Sequence, residues 1–443
     1  MDLNSPTDRD PSTLPRFLGP VGATLFVICF TIGTAIFLVP GIVARNAGSI
    51  STSLIAWIAG GLISLCGALC YAELAVRLPQ SGAEYRYLYA GYGPMVAFAF
   101  AWTCLFTQPV AIAAVARGFA DYLSELFPMT EALTRTTAAG AIAVFAAIAI
   151  RSTPVATRLA GMAATGKLLA LLTIVGIGIW VGSRASPPAV ASTSTWHWTQ
   201  LASAMVAVIW AYDGVSSIAA IAGEVRDPQR TLPISLVASI GIIAAVYVLV
   251  NLIYFMVLGF DGVAGSGAVA AATLKAGIGP AGAVVIAVMV MASALGTVAA
   301  QMVGNPRFFV GPAEDGLFPA RLAAISPRTL TPANAILLTA GIAMGLVTLG
   351  SYGLLIRLYV LSHYPFVVVA LLAAVRLRQR QGKPKGFAMP WYPLPLLLYG
   401  VSILGICAAS ALDDPMGAIC GLLIPMSGLL LYAFRRLKRS PNP

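Results

Sequence analysis

Long apolar runs recur along almost the whole chain and constrain its fold more than any other feature. Of the 443 residues, 59% are hydrophobic and only 10% are charged, whereas soluble domains carry about 25% charged residues. A helix crosses a hydrocarbon core of ~30 Å with roughly 20 apolar residues, and continuous runs do not suit the alternating strands of a barrel. We therefore predict an all-α polytopic membrane protein. Its twelve spans lie at residues 17–43, 52–76, 94–126, 134–151, 155–182, 199–225, 233–260, 280–311, 331–350, 353–377, 391–411 and 415–434.

The basic residues predict the orientation of these spans. If both termini are cytoplasmic, 20 of the 27 lysines and arginines fall in cytoplasmic segments, as the positive-inside rule requires. We therefore expect a multi-pass protein of the plasma (inner) membrane with both termini in the cytoplasm. The net charge of +11 mainly reflects this asymmetry, so no nucleic-acid partner is implied. The basic cluster from Arg376 to Lys385 reflects either topology alone or contact with anionic lipid.

Residue patterns of the common catalytic and metal sites are missing from the sequence. The six cysteines lie in apolar runs without the spacing of metal ligands, and His197 and His363 are far apart. A GxGxxG pattern at Gly277, Gly279 and Gly282 lacks the preceding strand of a nucleotide site, and we interpret it as a helix-entry turn. We expect neither an enzyme nor a bound metal or other cofactor.

Two of the apolar runs contain residues that weaken a helix at mid-depth. The first run contains TIGTAIF at 31–37, and the sixth contains WAYDGVSS at 210–217. Gly33 and Gly214 lower helix propensity, while nearby Ser, Thr and Asp side chains compete for backbone hydrogen bonds. Each break interrupts the first helix of a five-helix block, and an odd number of helices inverts the second block. Paired breaks in inverted halves indicate the substrate site of a transporter.

The chemistry of the two breaks predicts the kind of ligand. An unwound stretch leaves amide donors at the start of one half-helix and carbonyl acceptors at the end of the other. The donors suit a carboxylate and the acceptors suit an ammonium, and an α-amino acid carries both on one carbon. Small residues can instead serve close helix packing, but the matched breaks favour a binding site. The predicted substrate-binding residues are Thr31, Ile32, Gly33, Thr34, Ala35, Trp210, Ala211, Tyr212, Asp213 and Gly214.

Several motifs, in their order and spacing, resemble a known family. They are IGTAIFLVP (32–40), GALCYAEL (67–74), PQSGAEY (79–85), GKLLALL (166–172), GEVRDPQRTLP (223–233), RFFVGPAEDGLFP (307–319) and TP (331–332). Together they resemble the amino acid–polyamine–organocation superfamily of permeases. The resemblance is to its L-type branch, the light chains of heteromeric amino acid transporters, and to their bacterial relatives. It covers residues 17 to about 436.

The resemblance implies a five-plus-five inverted repeat with broken helices 1 and 6 and two added C-terminal helices. It also implies amino acid transport by alternating access, often as exchange and without sodium. Lys167 falls on the family's lysine in span 5, which implies a resident cation beside the broken span 1. The corresponding segments are a polar cytoplasmic tail (1–16), two repeats (17–182 and 199–378), the last two spans (391–434) and a basic cytoplasmic tail (435–443).

The sequence departs from the family pattern at two places. Ala35 stands where the family usually has a second glycine, which implies a tighter cradle for a carboxylate. Family light chains that pair with a glycoprotein carry a cysteine in the loop after span 3. The corresponding loop here, LFPMTEALTR, has none, so no disulfide-linked glycoprotein partner is expected. The amino acid substrate and the lipid bilayer are the expected partners.

The roles of the charged residues within the spans leave several functions open. Asp213 either lines the site and attracts a cationic substrate, or is neutralised by Arg117 or Lys167, or caps the second half of span 6; we favour a structural role. Arg117 and Arg357 either need an acidic partner, Asp213 or Glu73, or lie at span ends facing water. Neutral amino acid exchange is the main prediction. Proton-coupled uptake, transport of cationic amino acids or polyamines, and binding without transport are the alternatives.

Overall fold

The computed structural model of the protein describes residues 16–80, 82, 84–182, 198–349 and 352–439. Within these ranges the chain is helical, and its only strand-like pairing is an isolated bridge between Leu18 and Val225. Residues 1–15 of the predicted polar tail, residues 440–443 of the basic tail and His197 lie outside the described residues.

The α-helices follow one another with short connections. In chain order they are α1 Pro20–Thr31, α2 Ala35–Ala47, α3 Ile50–Arg77, α4 Glu84–Tyr92, α5 Pro94–Leu126, α6 Glu131–Arg151, α7 Thr153–Gly182, α8 Trp198–Ala211, α9 Ser217–Ala220, α10 Pro228–Gly265, α11 Val269–Ile278, α12 Pro280–Gly304, α13 Val310–Glu314, α14 Ala333–Leu349, α15 Tyr352–Gln381, α16 Leu394–Asp413 and α17 Pro415–Arg439. Short 3-10 turns lie at Ala222–Glu224, Asn305–Phe308 and Ala320–Leu322.

Most of the predicted spans are matched by helices of membrane-crossing length. Among the described residues, nine helical segments are long and apolar enough to cross a bilayer, and α1 and α2 together form a tenth, bent span. All ten coincide with predicted spans. The other two predicted spans, 199–225 and 331–350, contain the shorter helices α8, with 14 residues, and α14, with 17 residues.

The first span breaks around Gly33, as the sequence predicts. Helix α1 ends at Thr31, α2 begins at Ala35, and the two helices are bent by 52° relative to each other. Within the break, the Gly33 amide donates a hydrogen bond to the Thr31 carbonyl at 2.9 Å. The helix therefore ends in a tight turn before a new helix starts at mid-span.

The sixth span breaks at the second predicted position and makes direct contact with the first break. Helix α8 ends at Ala211, and helical structure returns only as the single turn of α9. Gly214 has a φ of +140°, a conformation that side chains with a Cβ rarely adopt. A Cβ at Gly214 would overlap the Thr31 hydroxyl and lie 3.1 Å from Thr31 Cα. The two interrupted spans therefore pack break against break.

A buried ion pair fixes the start of α1 to the end of the sixth span. The Glu224 carboxylate pairs with the Arg307 guanidinium, and both side chains are almost fully buried. Arg307 also donates to the Thr153 hydroxyl at the start of α7. The Glu224 carbonyl accepts hydrogen bonds from the amides of Phe17 and Leu18, at 2.9 and 3.1 Å. Four segments that are distant in sequence thus meet at one pair of opposite charges.

The structure corrects the interpretation of Arg117. Its guanidinium pairs with Asp121 at 2.7 Å and with Glu131 at 2.9 Å. These carboxylates lie near the end of α5 and at the start of α6, so Arg117 has its partners at a span end. Arg117 thus has acidic partners, as one alternative requires, but they are Asp121 and Glu131 and not Asp213 or Glu73.

Glu73, near the C-terminal end of α3, pairs with other residues than Arg117. Its buried carboxylate pairs with Arg77 at 3.0 Å and with Arg378 at 2.8 Å. It also accepts a hydrogen bond from the Met389 amide at 2.9 Å. These contacts join α3, α15 and the segment that leads into α16. The side chain of Arg357 lies outside the described part of the chain.

Substituting Gly214 with alanine tests the contact between the breaks. We expect Gly214→Ala to destabilise the protein by about 1–3 kcal/mol, because the added methyl overlaps Thr31 and the residue needs a strained positive φ. Gly161→Ala in α7 is the matched control, since a Cβ there meets nothing within 4 Å. Thermal unfolding of the purified protein should show a lower midpoint for Gly214→Ala only. Equal midpoints for both variants would contradict this packing.

Candidate substrate-binding site

A cavity lies between the two helix breaks. Its volume is about 60 Å³. The breaks of the first and sixth spans form one side, and α5, α12 and α15 form the other. The lining residues are Phe30, Thr31, Gly33, Thr34, Ala35, Gln108, Ala111, Val115, Trp210, Asp213, Thr297, Gln301 and Tyr359.

Six of the ten predicted break residues line this cavity. They are Thr31, Gly33, Thr34, Ala35, Trp210 and Asp213. The other four, Ile32, Ala211, Tyr212 and Gly214, are not among the lining residues. Both breaks thus contribute residues to the cavity wall, but four of the predicted residues do not line it.

The side chain of Tyr212 points away from the cavity, contrary to its predicted role. Its hydroxyl donates a hydrogen bond to the Trp57 carbonyl at 3.1 Å. Its ring packs against Tyr247, with the ring centroids 5.1 Å apart. Tyr247 in turn donates to the Ala211 carbonyl at 3.2 Å. Tyr212 therefore packs α8 against α3 and α10, and this explains why it is aromatic.

Lys167 reaches the broken end of α1 from the middle of α7. The side chain is only 3% exposed, so it does not extend to the membrane surface. Its ammonium donates to the carbonyls of Cys29 and Ile32, at 2.8 and 2.5 Å, and to the Thr297 hydroxyl at 2.6 Å. An ammonium has three donors, and each of them has an acceptor here. Lys167 thus joins α7, α1 and α12 directly behind the cavity.

At the first break, the backbone amides at the start of α2 are the candidate donors to a ligand. The Ile32 carbonyl, a candidate acceptor, is already occupied. Helix α2 begins at Ala35, and Thr34 at its N-cap makes no side-chain capping hydrogen bond. The first amides of a helix have no acceptor within the helix, and they lie at the positive end of its dipole. The Ile32 carbonyl is occupied by Lys167. The start of α2, where Thr34 and Ala35 line the cavity, therefore suits a carboxylate.

Asp213 lies in the cavity wall and has no arginine or lysine partner among the described residues. Its carboxylate faces the Gly214 amide and the Tyr359 hydroxyl. The expectation that Lys167 or Arg117 neutralises it is wrong, because both cations are engaged elsewhere. Helix α9 starts after Ser216, and no side chain caps it. The capping role is therefore also wrong for α9, although Asp213 does face an amide within the break.

Polar residues from α5 and α12 complete the cavity, and the sequence reasoning missed them. Gln108 and Gln301 both line it. The Oε1 atom of Gln301 and the hydroxyl of Thr31 are buried without a hydrogen-bond partner within the described chain. Unsatisfied buried polar atoms are costly, so these two are available to a ligand. Single glutamines within otherwise apolar runs are the signal that could have identified them.

A second buried carboxyl lies near the cavity but outside the spans. Glu84, the first residue of α4, is fully buried and accepts a hydrogen bond from the Tyr71 hydroxyl at 3.0 Å. Its Oε2 atom has no partner in the described chain. Burial raises the pKa of Glu84 to about 7, and the negative charge of Asp213 acts in the same direction. Glu84 is therefore a carboxyl that can hold a proton near neutral pH.

Comparison with known proteins identifies the family of the chain. The model of the amino acid permease family matches residues 18–415. The serine/threonine exchanger SteT of Bacillus subtilis (strain 168) is 27% identical over 95% of this chain and 96% of its own length. The human b(0,+)-type amino acid transporter 1 is 26% identical over 97% and 90% of the two chains. The human large neutral amino acids transporter small subunit 2 is 29% identical over 95% and 80%.

All three relatives are named as transporters or exchangers, and not as enzymes, as the sequence predicted. The family match runs through both helix breaks, through Lys167 and through the polar wall of the cavity. The cavity thus belongs to a chain that is, over nearly its whole length, a member of the amino acid permease family.

Proposed function

We propose that the protein exchanges neutral L-amino acids across the plasma membrane by alternating access. The observation that supports this most is the cavity between two touching helix breaks. At this cavity, the start of α2 suits a carboxylate and the unpaired oxygens of Thr31 and Gln301 suit hydrogen-bond donors. A zwitterionic amino acid carries both groups. The names of the relatives, which include exchangers and transporters of amino acids, support the same substrate class.

The proposed architecture has twelve spans in two inverted five-helix repeats, followed by two C-terminal spans. Helices α8 and α14 then complete the ten spans of full length. Each repeat starts with a broken span, and both breaks meet at one cavity. The proposed topology has both termini in the cytoplasm, in accordance with the distribution of basic residues. We propose no disulfide-linked glycoprotein partner, because the loop after α5 lacks a cysteine.

The proposed transport does not require sodium. A sodium ion in a transporter is held by carbonyl and hydroxyl oxygens near an unwound helix. Here the Lys167 ammonium contacts two carbonyls and one hydroxyl at the broken end of α1. A resident positive charge at that position removes the need for a coupling cation.

Two observations favour specific alternatives. Asp213 in the cavity wall favours a cationic side chain on the substrate, because opposite charges attract more strongly away from water. Glu84, buried near the cavity and able to hold a proton, favours proton-coupled uptake. We rank neutral exchange above a cationic substrate, since the Asp213 carboxylate already faces hydrogen-bond donors of the protein. We rank it above proton-coupled uptake because a relative that matches over nearly the whole chain is named as an exchanger.

Substituting Gly33 with residues of increasing volume tests whether the break is a binding site. A Cβ at Gly33 would have the Thr297 hydroxyl as its nearest neighbour, at 4.0 Å, so Gly33→Ala should retain counterflow of a transported amino acid into liposomes. Gly33→Leu should nearly abolish counterflow, because the leucine side chain would occupy the small cavity that the substrate needs. Both variants should insert and elute as folded protein. Normal counterflow by a folded Gly33→Leu would show that the break serves packing alone.

Substituting Asp213 tests the specificity for the substrate side chain. Leucine, alanine, arginine and lysine compete in turn against a transported amino acid, for the wild type and for Asp213→Asn. We expect the ranking of competitors to be the same in both proteins, with at most a moderate loss of rate, because asparagine still accepts hydrogen bonds from Gly214 and Tyr359. If arginine or lysine competes best in the wild type and loses that advantage in Asp213→Asn, the carboxylate selects a cationic substrate.

A further inference from the structure

A second, larger cavity shares no lining residue with the cavity at the helix breaks and is lined by basic residues. Its volume is about 510 Å³. It is formed where α3 ends, where α10 begins and where the chain leaves α15. We call it the basic pocket, and its charged and polar lining residues are Arg77, Gln229, Gln381, Lys383 and Lys385.

The charges around the basic pocket are unbalanced. Arg77 and Arg378 share the single carboxylate of Glu73, so one positive charge of this trio remains uncompensated. Lys383 and Lys385 are exposed, and they form no ion pair with any carboxylate of the described chain. No acidic residue lines the pocket. The pocket therefore carries a concentrated positive charge, which an anion would neutralise.

Two hydrogen bonds tie the walls of the pocket together. Arg77 donates to the Gly382 carbonyl at 2.7 Å and thereby fixes the turn after α15. Gln229, in the first turn of α10, donates to the Val76 carbonyl at 3.0 Å. These bonds hold three helix ends together, so that Lys383 and Lys385 lie at the edge of a formed cavity and not on a free tail. An anion would therefore enter a site whose walls are already in place.

The pocket lies at the ends of membrane-crossing helices, because the spans that end at Arg77 and Gln381 both reach its walls. Arg378, which shares Glu73 with Arg77, lies over the ring of Tyr392, 4.0 Å from its centroid. The neighbouring Trp391 is 77% exposed. Exposed tryptophan and tyrosine side chains concentrate at the membrane–water interface. Basic pockets at this depth bind the head groups of anionic lipids.

We propose that the basic pocket binds a phosphate group, held by the ammonium groups of Lys383 and Lys385. The depth of the pocket favours the phosphate of an anionic phospholipid as the source. A free phosphate ion from the aqueous phase has the same chemistry, and the experiment separates the two. For the cluster from Arg376 to Lys385, the proposal favours lipid contact over topology alone. The proposal does not depend on which amino acid the protein transports.

The test titrates the purified full-length protein in detergent with phosphatidylglycerol, phosphatidylcholine or inorganic phosphate, and follows thermal unfolding. A ligand that binds only the folded state raises the unfolding midpoint. Phosphatidylglycerol should raise it at lower concentrations than phosphatidylcholine. In Lys383→Gln/Lys385→Gln, the apparent affinity for phosphatidylglycerol should fall by roughly 25-fold, or about fivefold per lysine.

The matched control is Arg321→Gln/Arg328→Gln, which removes the same charge from two exposed basic residues elsewhere. This variant should bind phosphatidylglycerol like the wild type. Inorganic phosphate alone is compared in the same way. If it raises the unfolding midpoint of the wild type as much as phosphatidylglycerol does, but not that of the lysine variant, the pocket binds phosphate from solution and not a lipid. The proposal is overturned if the lysine variant binds phosphatidylglycerol as tightly as the wild type, or if the control variant loses as much affinity. The midpoint of each variant without ligand verifies that it folds.

Discussion

The ammonium of Lys167 and the carbonyls at the end of α1 form the interaction on which the site depends. A helix that ends inside a membrane leaves its last carbonyls without intrahelical donors, at the negative end of its dipole. Lys167 supplies a positive charge and donors to two of them, and its third donor reaches Thr297 on α12. A buried charge needs such complete pairing. The broken helix and the buried lysine thus compensate each other, and together they form the back of the cavity.

The second break makes this arrangement a binding site. Because Gly214 has no side chain, the sixth span approaches the first until it touches Thr31. Between them lies a cavity with the N-terminus of α2 on one side and the glutamines of α5 and α12 on the other. The ion pair of Glu224 and Arg307 ties the start of α1 to the end of the sixth span. Two broken helices, each of which would be unstable alone, therefore support one polar site in an apolar setting.

The positions of ten spans and of both breaks could be predicted from the sequence, but the direction of most side chains could not. Length and apolarity locate a span, and Gly33 and Gly214 stand out within such runs. The sequence reveals less about which side of a membrane helix faces the protein, because lipid and protein neighbours of such a helix are both apolar. For this reason the sequence alone does not reveal that Tyr212 packs outside the cavity, leaves the partner of Arg117 open, and gives little sign that Gln108 and Gln301 line the site. Lys167 was identified through the resemblance to the permeases.

Sodium replacement tests most directly whether Lys167 acts as the resident cation of this site. Purified protein in liposomes is assayed for amino acid counterflow in sodium and then with choline in its place. The account predicts the same initial rate in both, because the oxygens at the end of α1 are already occupied by the Lys167 ammonium. A rate that collapses in choline and recovers when sodium is restored would contradict it.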